Sequence, residues 1–190
     1  VQASNRMQVL ITDLLEYSRI GNKKEFEQVD CGQLLKEVVS DLDATIQESG
    51  AEIHVGPLPV ISCFPTEIKL LFQNLIVNAI KFRRKDVAPQ VMVGALRKGN
   101  GWEFSVADNG IGIAKQHHDR IFIIFQRLHT RSEYSGSGIG LSHCKKIVEL
   151  HKGKIWINST PGKGTTFHFT LHQSRQAAND MASNGVYKHE

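Results

Sequence analysis

Three sets of residues in this 190-residue chain have the types and spacing to do chemistry. The first is Val106-Ala107-Asp108-Asn109-Gly110-Ile111-Gly112-Ile113, a strand-like run that ends in a carboxylate and passes at once into two glycines. A carboxylate at a strand's end is an acceptor aimed into a cleft, suited to an exocyclic amine. Gly110 and Gly112 let the backbone pass close to a flat or phosphorylated ligand and take positive φ. A ligand-free Asp-Asn-Gly turn is the alternative. The second set is Gly136-Ser137-Gly138-Ile139-Gly140-Leu141 at the opening of a helix, where unpaired N–H groups behind close-approaching glycines form an anion site. Its spacing departs from the dinucleotide and P-loop patterns, and a flexible helix cap is the competing reading. The third is Asn74, Asn78 and Lys81, at steps of four and three and so on one helical face. An amide oxygen is a hard ligand suited to Mg²⁺, and Lys81 offers a point charge to phosphate. Two asparagines satisfied by backbone groups would look the same.

Periodicity gives the elements that must hold these residues. Residues 5–20 place Met7, Leu10, Ile11, Leu14 and Leu15 on one side of an amphipathic helix that Gly21-Asn22 stops. A strand over Phe26–Val29 leads to Asp30 as N-cap of a helix over Gly32–Glu48, with Leu34, Leu35, Val38, Val39, Leu42 and Ile46 in step. Strands over Ala51–Val55 and Val60–Cys63 precede a helix over Pro65–Arg83, with Pro65 in the first turn. Gln90–Arg97 and Trp102–Ala107 read as a hairpin. A helix over Ile139–His151 and strands over Lys154–Asn158 and Thr165–Leu171 follow, and residues 173–190 have no apolar period and read as a loose tail. This order predicts an α/β two-layer sandwich, a mixed β-sheet packed on three helices and preceded by one long amphipathic helix.

Composition narrows the function. With 41% hydrophobic and 22% charged residues the chain is globular rather than disordered. A net charge of +4 suits an anionic small ligand and falls short of a nucleic-acid groove, so no nucleic-acid partner is expected. Cys31, Cys63 and Cys144 are scattered, without a CxxC pair, and read as buried thiols in a reducing compartment. No run approaches a membrane span, so no direct membrane contact is expected.

Taken together, the three sets are far more specific than any one. Phe26–Leu171 resembles the ATP-binding catalytic domain of sensor histidine kinases, within the Bergerat-fold group that includes Hsp90, MutL and gyrase B. LLFQNLIVNAIKF resembles the N box, VADNGIGI the G1 box, IFIIFQRLH the F box and GSGIGL the G2 box; PGKGTTFHF resembles the closing glycine-threonine element. RMQVLITDLLEYSR resembles the second helix of the dimerisation and phosphotransfer hairpin. The resemblance implies three parts: residues 1–22 as that helix, 23–172 as the catalytic domain and 173–190 as a tail.

What it implies for residues is as follows. Asn78 coordinates Mg²⁺, with Asn74 on the same face; Lys81 approaches the phosphates and Phe82 lines the cleft. Asp108 accepts the adenine amino proton, Gly110, Gly112 and Ile113 shape the pocket, and Thr165 supports the adenine end. Gly136, Ser137, Gly138, Ile139, Gly140 and Leu141 hold the end of a mobile lid, Ala114–Ser135, that packs through Phe122 and Phe125. Ser137 stands where the family commonly has threonine and keeps the hydroxyl. Hydrolytic relatives carry a glutamate where this chain has Asn74, and an amide cannot take a proton at neutral pH. That favours a kinase using ATP and Mg²⁺ over an ATPase; the expected setting is cytoplasmic, with the parent protein either free or membrane-attached. The partners implied are a phosphoacceptor hairpin, a response regulator receiver domain and, in the full-length protein, a second copy in a homodimer. Residues 1–50 hold no histidine, so the phosphoacceptor is expected outside this chain. His117, His118, His129, His143, His151 and His168 fit no acceptor motif and read as surface residues. A nucleotide-binding scaffold without phosphotransfer is the other reading, and an anti-sigma type serine kinase fits less well because that class lacks a hairpin helix.

Overall fold

The computed structural model describes residues 25–128, 134 and 138–172, together with Ile11, Thr12, Leu14, Leu15, Tyr17, Ser18, Ile20 and Gly21. The proposed tail, Gly136, Ser137, His129 and much of the first helix lie outside the described residues. Five strands form one mixed sheet: β2 (Glu52–Val55), β4 (Gln90–Lys98), β5 (Gly101–Asp108), β6 (Ile155–Thr160) and β7 (Gly164–His172), in the order β2-β4-β5-β7-β6. β2 runs parallel to β4 and every other pairing is antiparallel. The remaining strands, β1 (Glu27–Asp30) and β3 (Val60–Cys63), pair only with each other, so the seven expected strands make a sheet and a separate ribbon.

The helices are α1 (Cys31–Asp41), α2 (Asp43–Ser49), α3 (Pro65–Lys81) and α4 (Gly140–Leu150). Asp30 does cap α1, its Oδ1 accepting from Gly32 N at 2.8 Å and Gln33 N at 3.0 Å. The single helix expected over Gly32–Glu48 is broken at Leu42, which leaves helical geometry at φ −98°, ψ 5°. The bend sends the Leu42 side chain into the core, whereas α2 buries no residue. Three helices thus do the packing: α3 lies on β4 and β5, α4 on β6 and β7, and α1 against α3.

Alternation along the strands decides which face is covered. Val91 and Val93 of β4 are buried, while Met92 and Leu96 on the opposite face are 61% and 74% exposed. In the core, the Phe104 and Phe169 rings stack across β5 and β7 at 5.1 Å, and Phe72 of α3 meets both edge-on at 5.9 and 5.8 Å. The cysteines are free and buried, and burial pushes Cys31 and Cys63 each up to about 12.

Two histidines expected on the surface are not there: His143 and His151, both on the α4 side, are 4% and 2% exposed. His151 Nε2 accepts from Phe64 N at 3.1 Å and Nδ1 donates to Ile147 O at 2.7 Å, so the neutral ring ties the start of α3 to the end of α4. The incoming segment also rests on α4. Lys146 Nζ donates to the Tyr17 carbonyl at 2.5 Å and lies 4.3 Å from its ring centre, and the Tyr17 ring stacks on His143 at 5.7 Å. Ile20 joins the core, whereas Ile11, Leu14 and Leu15 are about half exposed. Among the described residues no helix is long and apolar enough to cross a membrane.

Candidate functional site

α3 is the floor of the site. Its apolar stripe, Ile68, Leu71, Phe72, Leu75, Ile76 and Ile80, is buried, which turns Asn74, Asn78 and Lys81 toward the opposite side and into a cavity of about 260 Å³. The same cavity is lined by Phe82 beyond the helix end, Asp108 at the end of β5, Gly112 and Ile113 after it, Gly138 and Gly140, Leu141 in α4 and Thr165 in β7. The structure therefore brings together residues from four separate motifs, spread over some 90 positions of sequence, around one space.

Asp108 and Thr165 meet because they are register partners across β5 and β7. Asp108 Oδ1 accepts from Gly110 N at 2.8 Å and Thr165 N at 3.1 Å. Both bonds fall on one oxygen, and among the described residues no protein donor reaches Oδ2. Burial raises the Asp108 pKa above the ordinary carboxylate value, and the two N–H donors partly offset the rise. Thr165 Oγ1 pairs with Ser159 Oγ at 2.8 Å, and Ser159 Oγ accepts from Ile113 N at 2.8 Å. Gly112 is a required glycine: at φ +70° a Cβ would lie 2.1 Å from the Thr160 carbonyl oxygen.

Elsewhere in the cavity lining, Asn74 Oδ1 would lie 2.8 Å from a Cβ on Gly140, so α4's first residue abuts the asparagine. Asn74 Nδ2 is buried without a hydrogen-bond partner among the described residues. Lys81 Nζ stands 4.7 Å from the Phe82 ring centre; burial lowers its pKa, and the nearby Arg127 charge lowers it further.

Some expected residues stand elsewhere. Gly110 sits behind the cavity wall, where a Cβ would be 2.5 Å from the Phe82 carbonyl oxygen. Ile139 is fully buried as the residue preceding α4. Phe125 does not line the cavity: it is 50% exposed, with a strained φ of +63°. Phe122 packs inward, edge-on to Phe167 at 6.4 Å. Conversely, Val77, Ile111, Gln126, Arg127, Leu128, Tyr134 and Phe167 line the cavity without having been expected there. The Tyr134 ring lies 4.9 Å from Phe82, and Arg127 donates to the Tyr134 carbonyl at 2.6 Å. Arg127 lay within a recognisable segment, IFIIFQRLH, and its charge was the signal that could have marked it.

Known proteins share this sequence and this fold. Cyanobacterial phytochrome A of Nostoc sp. is 49% identical over 172 residues, covering 90% of this chain and 22% of that protein. Full-length ShkA, solved in complex with AMPPNP, superposes with a TM-score of 0.75 at 27% identity, over 90% of this chain and 37% of that one. Histidine kinase ThkA, solved in complex with response regulator protein TrrA, shares the fold with a TM-score of 0.70 at 23% identity, over 92% of this chain and 49% of that one. The chain thus spans about a fifth to a half of the length of the curated relatives it matches. The family model described as "Histidine kinase-, DNA gyrase B-, and HSP90-like ATPase" matches residues 64–175, more than half of the sequence, and this chain belongs to that family.

Proposed function

We propose that this chain is the ATP-binding kinase module of a two-component sensor histidine kinase, passing the γ-phosphoryl of ATP to a histidine on a hairpin helix outside the chain. One observation carries the reading: a buried carboxylate, Asp108, and the amides and lysine of α3 all line a single cavity. Asp108 Oδ2 accepts the purine amino group while Phe82, Ile113 and Thr165 frame the base. Gly138, Gly140 and Leu141 lie on the phosphate side with Lys81, and Gly136 and Ser137 belong to the same loop by sequence.

Mg²⁺ fits the donors present. Hard amide oxygens on Asn78 and Asn74 share the cavity, and one or two protein oxygens completed by phosphate and water suit this ion. Asn78 would hold it, and bound there the ion offsets charge on the phosphates. Lys81 adds a fixed positive charge on the same side, and its partial burial strengthens that field. In the transfer, an imidazole nitrogen forms a bond to the γ-phosphorus as the bond to the bridging oxygen breaks, and ADP leaves with the electron pair. Asn74, an amide, provides no base for activating water, so transfer is favoured over hydrolysis. The partners that follow are the parent kinase's hairpin, a receiver domain that takes the phosphoryl group onward, and a second copy of the parent. The proposed setting is the cytoplasm.

The test is to supply a separately prepared hairpin bearing the histidine, with ATP and Mg²⁺. The expected result is labelling of the hairpin, slow ATP hydrolysis and no self-labelling of the chain. Tight nucleotide binding with no labelling of any hairpin would favour a scaffold, and fast hydrolysis abolished by Asn74→Ala would contradict the role given to that amide.

A further inference from the structure

Beyond the cavity wall, one side chain joins three segments that meet behind Asp108. Arg84, three residues past the end of the site-bearing helix α3, donates from Nε to the Asn109 carbonyl at 2.9 Å and from a terminal nitrogen to the Gly162 carbonyl at 3.4 Å. The first contact matters most. The Asn109 carbonyl and the Gly110 N–H belong to one peptide plane, and that N–H donates to Asp108 Oδ1 at 2.8 Å. The guanidinium and the carboxylate therefore grip opposite edges of the same rigid amide.

The surroundings hold the backbone on both sides of this plane: Ile111 N donates to Phe82 O at 3.0 Å, Gly162 N to Ile111 O at 2.7 Å, and the Asn109 side chain bridges Gln90 N and the Ala88 carbonyl at 2.9 Å each. Gly110 itself has no side chain to hold it. Among the described residues Arg84 is the protein partner of the Asn109 carbonyl, so without it the 109–110 plane loses the bond on its carbonyl edge. Rotation of that plane withdraws a donor from Asp108 Oδ1 and lets the carboxylate swing.

We infer that Arg84 is a positioning residue for purine recognition: by fixing the Asn109–Gly110 peptide it aims the Asp108 carboxylate at the base. This rests on the nucleotide-binding reading above. A cation bonded to the carbonyl also polarises the amide and strengthens its N–H as a donor, a cooperative effect that a neutral partner supplies less well. Arg84 bonds Asn109 and Gly162 and none of the residues proposed for the phosphates, so the effect falls on which base is bound rather than on the transfer step.

The experiment compares wild type, Arg84→Ala, Arg84→Lys and Asp108→Asn in binding ATP and inosine triphosphate, which lacks the amino group. Amide hydrogen exchange is followed in the ligand-free chain. Wild type should prefer ATP. Arg84→Ala should weaken ATP binding on the order of tenfold, as expected for losing one charge-assisted contact, and leave inosine triphosphate within about a factor of two. Arg84→Lys, which keeps the charge but not the fork, should fall between. In Arg84→Ala the Gly110 amide should exchange at least ~10-fold faster while the Val106 and Phe169 amides keep their protection, which shows that the fold is intact. Where labelling of a supplied hairpin is measured, KM for ATP should rise with kcat unchanged. Wild-type base preference retained in Arg84→Ala, with unaltered Gly110 exchange, overturns the inference alone. A wild-type chain with no preference for ATP overturns the nucleotide reading and this inference together.

Discussion

Replacing Asp108 with asparagine separates recognition from stability. The asparagine oxygen can keep both bonds that Oδ1 now accepts, from Gly110 N and Thr165 N. What changes is the other atom, where an acceptor becomes a donor facing the purine amino group. Losing a hydrogen bond to a charged acceptor costs about 1.5–3 kcal/mol, on the order of ten- to a hundredfold in Kd for ATP. Stability should move the other way or not at all, because burial opposes the ionised form of Asp108 and the amide carries no charge to bury. The pH dependence has a matching sign. A raised folded-state pKa means a stabilising contribution present below the unfolded value of 3.8 and lost as pH rises through the folded value. ATP affinity, which needs the ionised acceptor, should fall on acidification at a higher pH than a solvated aspartate would give. Calorimetric titration with ATP, paired with thermal unfolding of the same samples, reads both quantities. Unchanged affinity in Asp108→Asn, or a loss of affinity matched by a drop of many degrees in Tm, would refute the assignment of Oδ2 to the base.

Gly112→Ala and Gly162→Ala should differ sharply, since both sit at positive φ but only Gly112 would drive a Cβ into backbone, the Thr160 carbonyl at 2.1 Å. Thermal unfolding should show about 1 kcal/mol lost at Gly162, the cost of the left-handed conformation alone, and at least ~3 kcal/mol plus nucleotide binding at Gly112. Burial lowers the pKa of His151, so its contribution to stability is present above the unfolded value of 6.5 and is lost as pH falls below it; denaturant midpoints should drop through that range in wild type and less steeply in His151→Gln. Phe125→Gly should raise Tm slightly, by relief of about 1 kcal/mol of strain at φ +63°, and a decrease would mean that the exposed ring makes a contact worth more than its strain.

The sequence exposes what is local and periodic. Asp30 as a cap, Pro65 at the start of α3 and the hairpin of β4 and β5 were legible because each is decided within a few residues, although Lys98 and Gly101, expected in the turn, pair as the last rung of the ladder. The break at Leu42 was not, because the apolar spacing continues unbroken through it and the bend comes from the fit of Leu42 into the core. His143 and His151 read as surface residues since nothing near them in sequence signals a partner; His151 meets Phe64 from 87 positions away. The residues gathered at the cavity were legible as four motifs, but the motifs are silent on geometry. That Arg84 grips the Asn109 carbonyl, or that Tyr134 lies on Phe82, is a matter of loops crossing in space.

α4 has a mechanical consequence. At eleven residues it is a rod about 16 Å long, with Gly140 against Asn74 at one end and Leu150 against Gly21 near the other. Between them Lys146 clasps the Tyr17 carbonyl. One short rod thus carries, along its length, both the foothold of the incoming segment and the residue that abuts the asparagine at the cleft.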